Sequence, residues 1–295
     1  MIPSVTVEAL ISQLVNGLVI GMIYVMLAVG LSLIFGMIGV INFAHGVFFT
    51  LGAYIVFTLR NVLGFWPAVL VAGGVTALLG MLIELGLLRR LYDRDPLNGF
   101  LLTFGLALLM EELIRAIWGP AGLPFTVPAG LTGLVAYGPI IQTKYRIVVL
   151  GLAILIVVLL WLGLDKTRLG MIIRAGSRDP IMIQMLGTNI KKIFTLIFGV
   201  GSALAAIAGV LAAPLWGLQP ALGTGAIMPS FVVVAIGGLG SLRGAIIAGI
   251  LVGEVVCLSI YFYPPVSEVS MYVLMGLVLL LRPRGLSGEE WERFE

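Results

Sequence analysis

Charge is what this chain has least of. Only 11% of its 295 residues are Asp, Glu, Lys or Arg, where an ordinary soluble domain carries about a quarter. A soluble fold of this length would bury a large core and still need a charged surface. With 60% hydrophobic residues and charge-free stretches such as Leu10 to Phe35, much of the surface must instead face lipid. Cysteine is scarce too. Cys257 is the only one, which excludes an intramolecular disulfide framework, and within an apolar run it reads as a small apolar side chain. His45 is the single histidine. One histidine and one cysteine do not make the cluster of nucleophile, base or metal ligands that a membrane enzyme needs, so no catalytic residue, metal site or cofactor is assigned. The chain also lacks a G-x-x-x-x-G-K-[ST] phosphate loop, and with it an ATP site of that type. Met1 to Leu10 has no Lys or Arg. The positive region of a cleavable signal peptide is therefore missing, and the first apolar run is expected to span and stay.

What remains is a series of long apolar runs. They cover roughly 10–35, 39–60, 65–88, 97–118, 145–164, 193–213, 229–241, 244–262 and 268–281. Helices are the expected form, because lipid offers backbone groups no partners outside a helix or a closed barrel. A barrel needs segments of about ten residues alternating apolar and polar, and Ile154 to Leu162 is apolar throughout. The fold class that follows is an all-α membrane protein: one domain over 1–295, a polytopic bundle of about eight transmembrane helices, some broken or partial.

The net charge of +3 does not indicate nucleic acid, because the basic residues sit in short loops between spans. Thirteen of the seventeen Lys and Arg group on one side: Arg89, Arg90 and Arg94; Lys166, Arg168, Arg174, Arg178, Lys191 and Lys192; Arg243; and Arg282, Arg284 and Arg293 in the 282–295 tail. Arg60, Arg115, Lys144 and Arg146 fall on the other. This bias puts the first group in the cytoplasm, with an extracytoplasmic amino terminus, a cytoplasmic carboxyl terminus and an odd number of crossings. The parity closes only if 229–241 crosses. At about thirteen residues it is short of a full span, so either it crosses in part or 229–262 is one broken element. The 119–143 stretch, rich in Gly and Pro and ending in Gly138-Pro139, is expected to be an external turn-rich loop: a packed cap, a docking surface or a plain connector.

Two glycine-rich interruptions stand out, Gly36 to Gly46 and Gly237 to Gly244. Clustered glycines let a helix unwind. Unwound backbone at membrane depth survives only where it packs in protein or lines a wet cavity, and interrupted spans point to a transport path. Asn42, His45 and Gly46 in the first break, and Gly237, Gly238, Gly240 and Ser241 in the second, are the candidate pathway residues. Asn42 and His45, three apart, are expected to share a helix face with Phe49 and Gly52. A structural hydrogen bond holding the break together is the other reading of that pair. Close helix packing is the simpler role for Gly201, Ala205, Ala208, Gly209, Ala212, Gly249 and Gly253. Glu111 and Glu112 are placed to pair with Arg115, and Glu84 to reach water or Arg89. Glu254 is the one deep carboxylate without an evident partner in sequence.

The 165–192 loop is basic and carries an apolar core, Met182 to Leu186, which needs lipid headgroups or a cytoplasmic protein to cover it. Its run from Arg174-Ala-Gly-Ser-Arg178-Asp179 to Gly187-Thr-Asn189 resembles the coupling loop of ABC-importer permeases of the branched-chain amino acid (LivH/LivM) family, and the chain as a whole is LivH-like. The resemblance extends to Gly30-Leu-Ser-Leu-Ile-Phe-Gly36, Asn42-Phe-Ala-His-Gly46, Ala203 to Gly209, Gly237 to Ser241 and Leu281-Arg-Pro-Arg-Gly285. Ile181, Met182 and Ile183 stand where coupling loops broadly carry Glu-Ala-Ala. The resemblance implies a permease subunit of the cell inner membrane that is not itself an enzyme. It implies coupling residues Arg174, Arg178, Asp179, Gly187 and Asn189, two cytoplasmic ATP-binding subunits, a second permease subunit (LivM-like or a copy of this chain) and an external solute-binding protein. The implied cargo is leucine, isoleucine and valine, with urea, short amides and aromatic acids among relatives. An ion-coupled carrier working alone is the other class, and it would need embedded carboxylates such as Glu254.

Overall fold

The computed structural model describes residues 7–92, 94–137 and 140–288; Arg293, Gly138 and Pro139 lie outside them. The regular structure of the described chain is helical apart from one small hairpin. In order, the helices are α1 (Val7–Ile38), α2 (Ala44–Leu63), α3 (Phe65–Gly86), α4 (Pro96–Trp118), α5 (Lys144–Lys166), α6 (Arg168–Arg178), α7 (Pro180–Met185), α8 (Ile190–Trp216), α9 (Leu222–Gly237), α10 (Leu242–Phe262) and α11 (Ser267–Leu281). Among the described residues, seven stretches are long and apolar enough to cross a membrane: α1, α2, the segment Phe65–Leu91 that contains α3, α5, α8, α10 and the segment Pro264–Leu281 that contains α11. This is a polytopic all-α membrane protein. Helix α4 has 23 residues, with Glu111, Glu112 and Arg115 gathered toward its end.

The core forms around α1 and α8, the two most buried spans. Small residues set the approach distances. On α1, Gly17 and Gly21 meet Gly253, Glu254 and Gly249 of α10, numbers rising on one helix as they fall on the other. A Cβ added at Gly253 would fall on the Gly21 backbone. Gly201 of α8 lies against Gly30 and Ile34, and Gly209 against the backbone of Phe49. In lipid such contacts hold helices together by dispersion, since apolar burial itself offers little.

The two ends of the bundle differ. At one end, Arg89 bonds the Lys191 carbonyl, Met37 touches α6, and the tail around Arg284 meets the end of α9. At the other, Gln142 donates to the Ser12 carbonyl at 2.9 Å and Arg146 to Asn16 at 2.6 Å. The 119–143 loop is folded over this second end. It contains an antiparallel hairpin of β1 (Leu134–Tyr137) and β2 (Ile140–Thr143), pairing Leu134 with Thr143. Leu123 N–H donates to the Leu218 carbonyl at 2.8 Å, tying the loop to the chain between α8 and α9.

Helix α9 starts seven residues before the apolar run read from sequence and ends at Gly237. Its 16 residues extend about 24 Å, short of the bilayer core of about 30 Å. It begins against the first turns of α2: Gly223 N–H donates to Thr50 at 2.8 Å, and a Cβ at Gly46 would meet the Gly223 carbonyl. Residues 222–262 are thus a short helix, a break and a full helix.

Candidate functional site

The first break is built by Gly39. Its φ of +74° lies in the left-handed region that ends helices, and α1 stops one residue earlier. The chain turns back and restarts as α2 only at Ala44. Asn42 lies in the break, two residues before α2 begins, and is joined to His45 by the turn hydrogen bond that His45 N–H donates to the Asn42 carbonyl at 3.3 Å. His45, Phe49 and Gly52 do share α2 and are all buried. Thr103 of α4 anchors the turn. Its hydroxyl accepts from the Phe43 N–H at 3.3 Å and lies 3.1 Å from the Ile41 carbonyl.

His45 is fully buried, with Nε2 3.0 Å from the Leu27 carbonyl. A carbonyl only accepts, so Nε2 carries the hydrogen. Among the described residues, Nδ1 and both side-chain polar atoms of Asn42 have no hydrogen-bond partner. Gly46 is packed on Gly223. These three predicted pathway residues are thus buried and line no open surface. Phe43, between them in sequence, is only half-buried. Its ring lies 4.8 Å from Phe231, 5.1 Å from Phe100 and 5.8 Å from Phe104, centroid to centroid.

The second break runs from Gly238 to Ser241. Gly238 and Gly240 have φ of +97° and +81°, and the Ser241 hydroxyl caps α10 by accepting from Gly244 N–H at 3.1 Å. The tail fastens the end of α9, Leu286 N–H donating to the Ile236 carbonyl at 2.7 Å and Ser287 N–H to that of Gly237 at 3.0 Å. Gly237 approaches the backbone of Gly244, so these glycines permit backbone-to-backbone packing.

The two breaks meet. A Cβ built on Gly36 would lie 3.2 Å from Gly240 Cα. The next residue, Met37, reaches the loop between α5 and α8: a Cβ on Gly176 of α6 would lie 3.3 Å from Met37 Cε and 2.9 Å from Ile190 Cδ1. Met37 thus joins α6 to α1 one residue from the junction of the breaks.

That loop is a helical hairpin whose shape its polar residues dictate. Asp179 Oδ1 accepts from Met182 N–H at 2.8 Å and Pro180 opens α7, both strong start signals. Gly187, at φ +83°, closes it, and Asn189 caps α8. Arg174 bonds the Leu164 carbonyl and faces Asp165. The predicted coupling residues Asp179, Gly187 and Asn189 thus shape the hairpin, while its apolar side chains project. Ile181, Met182, Met185 and Leu186 are 64%, 59%, 82% and 75% exposed.

At the foot of the hairpin, Glu84 is fully buried and receives Arg89 twice (3.0 and 3.1 Å), the Tyr92 hydroxyl (2.6 Å) and the Thr195 hydroxyl (2.7 Å). Burial, with Glu84 beside it, holds the Tyr92 hydroxyl well above its ordinary pKa. Arg115 pairs with Glu111 at 2.6 Å and Glu112 at 2.8 Å, as their spacing predicts. Glu254 is wedged at the α1–α10 contact beside Gly17.

The family model for the branched-chain amino acid transport system permease component matches residues 13–282. The chain belongs to that family. The permease is 31% identical to the high-affinity branched-chain amino acid transport system permease protein BraD of Pseudomonas aeruginosa, covering 94% of this chain and 95% of that protein. It is 29% identical to LivH of Escherichia coli K12, over 94% and 95%. To LivM of the same organism, also a permease protein of the high-affinity branched-chain system, it is 30% identical over 90% and 68%.

Proposed function

We propose that this permease is the membrane subunit through which an ABC importer moves leucine, isoleucine and valine across the cytoplasmic membrane. The observation that carries this reading is the α6–α7 hairpin. It presents four exposed apolar side chains at the basic end of the bundle and stands on the junction of the two breaks. An ATP-hydrolysing subunit seated on that face would move α6, and α6 bears on α1 through Met37. Two such subunits, a second permease subunit and an external solute-binding protein over the 119–143 end complete the assembly. The bias in Lys and Arg favours the basic end inside the cell and the amino terminus outside. The substrate named for BraD, LivH and LivM supports branched-chain amino acids over urea, short amides or aromatic acids. The place of Glu254 at a tight helix contact speaks against a proton-coupled carrier working alone.

Co-purification tests the reading. Two ATPases and a second permease should copurify with this chain, and leucine with its binding protein should stimulate their ATPase. Robust leucine uptake by this chain alone in liposomes, without ATP, would sink it.

A further inference from the structure

One face of the bundle is unlike the rest. The outer sides of α5 and α11 are long apolar surfaces suited to lipid. Between α4 and α9, by contrast, a groove carries a polar cluster at one end and a cluster of rings at the other. On α4, Phe104, Leu108, Glu111 and Arg115 follow a single stripe at helical spacing; on α9, Thr224, Met228 and Phe231 do the same. The stripes run oppositely. The Thr224 hydroxyl donates to Glu111 Oε2 at 2.6 Å, and further along Phe231 and Phe104 both meet the Phe43 ring from the break. Between these ends the groove is open: Leu108 and Met228 are exposed, and nothing lies within 4 Å of where a Gly225 Cβ would stand. Pro229 has no N–H, so it gives the Gly225 carbonyl none of the helical hydrogen bond that position expects.

We propose that this groove is the amino-acid subsite of the transport path. The substrate ammonium lies against Glu111 and the Gly225 carbonyl, its carboxylate against Arg115, and its branched side chain between Leu108 and Met228. The rings of Phe43, Phe104 and Phe231 close the groove one turn further along. Glu111 and Arg115 are paired with each other at 2.6 Å, and a zwitterion can exchange that pair for its own two charges while its aliphatic side chain meets the apolar residues beside them. Phe43 belongs to the first break, so movement of that break shifts a ring of the floor. The inference rests on the branched-chain amino acid reading above and deepens it.

The test uses the complete ATP-driven assembly in liposomes. In a Cys257→Ser background, Met228→Cys should react with a membrane-impermeant thiol reagent, with or without ATP, and leucine should slow the reaction while urea should not. Glu111→Gln, which keeps the shape and the Thr224 contact, should raise the KM for leucine at least ten-fold. Met228→Trp should raise the KM for leucine far more than for alanine. Three results would overturn the subsite: a cysteine at 228 that reacts only with lipid-soluble reagents, labelling unaffected by leucine, or an unchanged KM in both variants. Should Glu111→Gln fail to assemble, the Met228 variants decide alone. If the unmodified assembly takes up no branched-chain amino acid, the function proposed above fails, a different outcome from failure of the groove.

Discussion

Glu84→Ala should be among the most destabilising single substitutions in this protein. Its carboxylate is 0% exposed and holds Arg89, Tyr92 and Thr195, while the Arg89 side chain keeps 27% of its exposure. Breaking a buried pair by removing one partner costs about 3–5 kcal/mol, because the other charge is left uncompensated. The partial access of Arg89 to water places this case near the lower end, about 3 kcal/mol. Two hydroxyls losing an acceptor keep it from falling further. The damage should be local to the α3–α8 junction, where the hairpin enters α8. Equilibrium unfolding in detergent measures the loss, and a double-mutant cycle isolates the pair. Glu84→Leu with Arg89→Met removes both charges, so it should cost less than the sum of the single variants by at least about 1.5 kcal/mol. A loss under about 1 kcal/mol for Glu84→Ala, or strict additivity in the cycle, would refute the reasoning.

Tyr92 reports on the same cluster through pH. Its hydroxyl pKa is raised in the folded state, so its contribution is complete below about pH 10, the ordinary tyrosine value, and is lost as pH rises beyond it. Tyr92→Phe should lower stability at neutral pH and flatten the alkaline decline; an unchanged alkaline slope would count against it. Thr103→Val removes the acceptor for the Phe43 N–H and a hydrogen-bonding partner of the Ile41 carbonyl, and should cost about 1–2 kcal/mol in a detergent melt. Gly253→Leu puts a side chain onto the backbone of Gly21. It should force α1 and α10 apart at a cost of about 3 kcal/mol, seen as a lost disulfide cross-link between engineered cysteines on the two helices.

How much was legible depended on sequence distance. Long apolar runs announced the spans because membrane depth demands about twenty residues. The pairing of Arg115 with Glu111 and Glu112 followed from helical spacing, and Glu84 with Arg89 from their closeness in the chain. Thr195, more than a hundred residues away, left no local mark of joining Glu84. The start of α9 was hidden because Gln219, Pro220, Gly223, Thr224 and Gly225 read as a loop. Gly223 is there for its contact with Gly46, which only the packed bundle reveals. The face expected for Asn42 and His45 assumed that both stand on one helix, whereas α2 begins only at Ala44 and leaves Asn42 in the turn before it. The polar residues of the first break are buried, while the half-buried ring of Phe43 lies between them. Its partners on α4 and α9 carry a legible signal, stripes at i, i+4 and i+7 that end in a charge or a hydroxyl.

The central claim is that ATP hydrolysed on a partner acts on the breaks through the α6–α7 hairpin. It is tested most directly by measuring leucine-stimulated ATPase and leucine uptake together in the reconstituted assembly, for the unmodified protein and for Gly187→Asp. The φ of +83° at Gly187 makes a side chain there cost about 1–2 kcal/mol, enough to reshape the hairpin while the bundle stays inserted. The variant should keep its binding protein and its fold but lose both ATPase stimulation and uptake. Wild-type stimulation and uptake in a correctly inserted Gly187→Asp protein would contradict that claim.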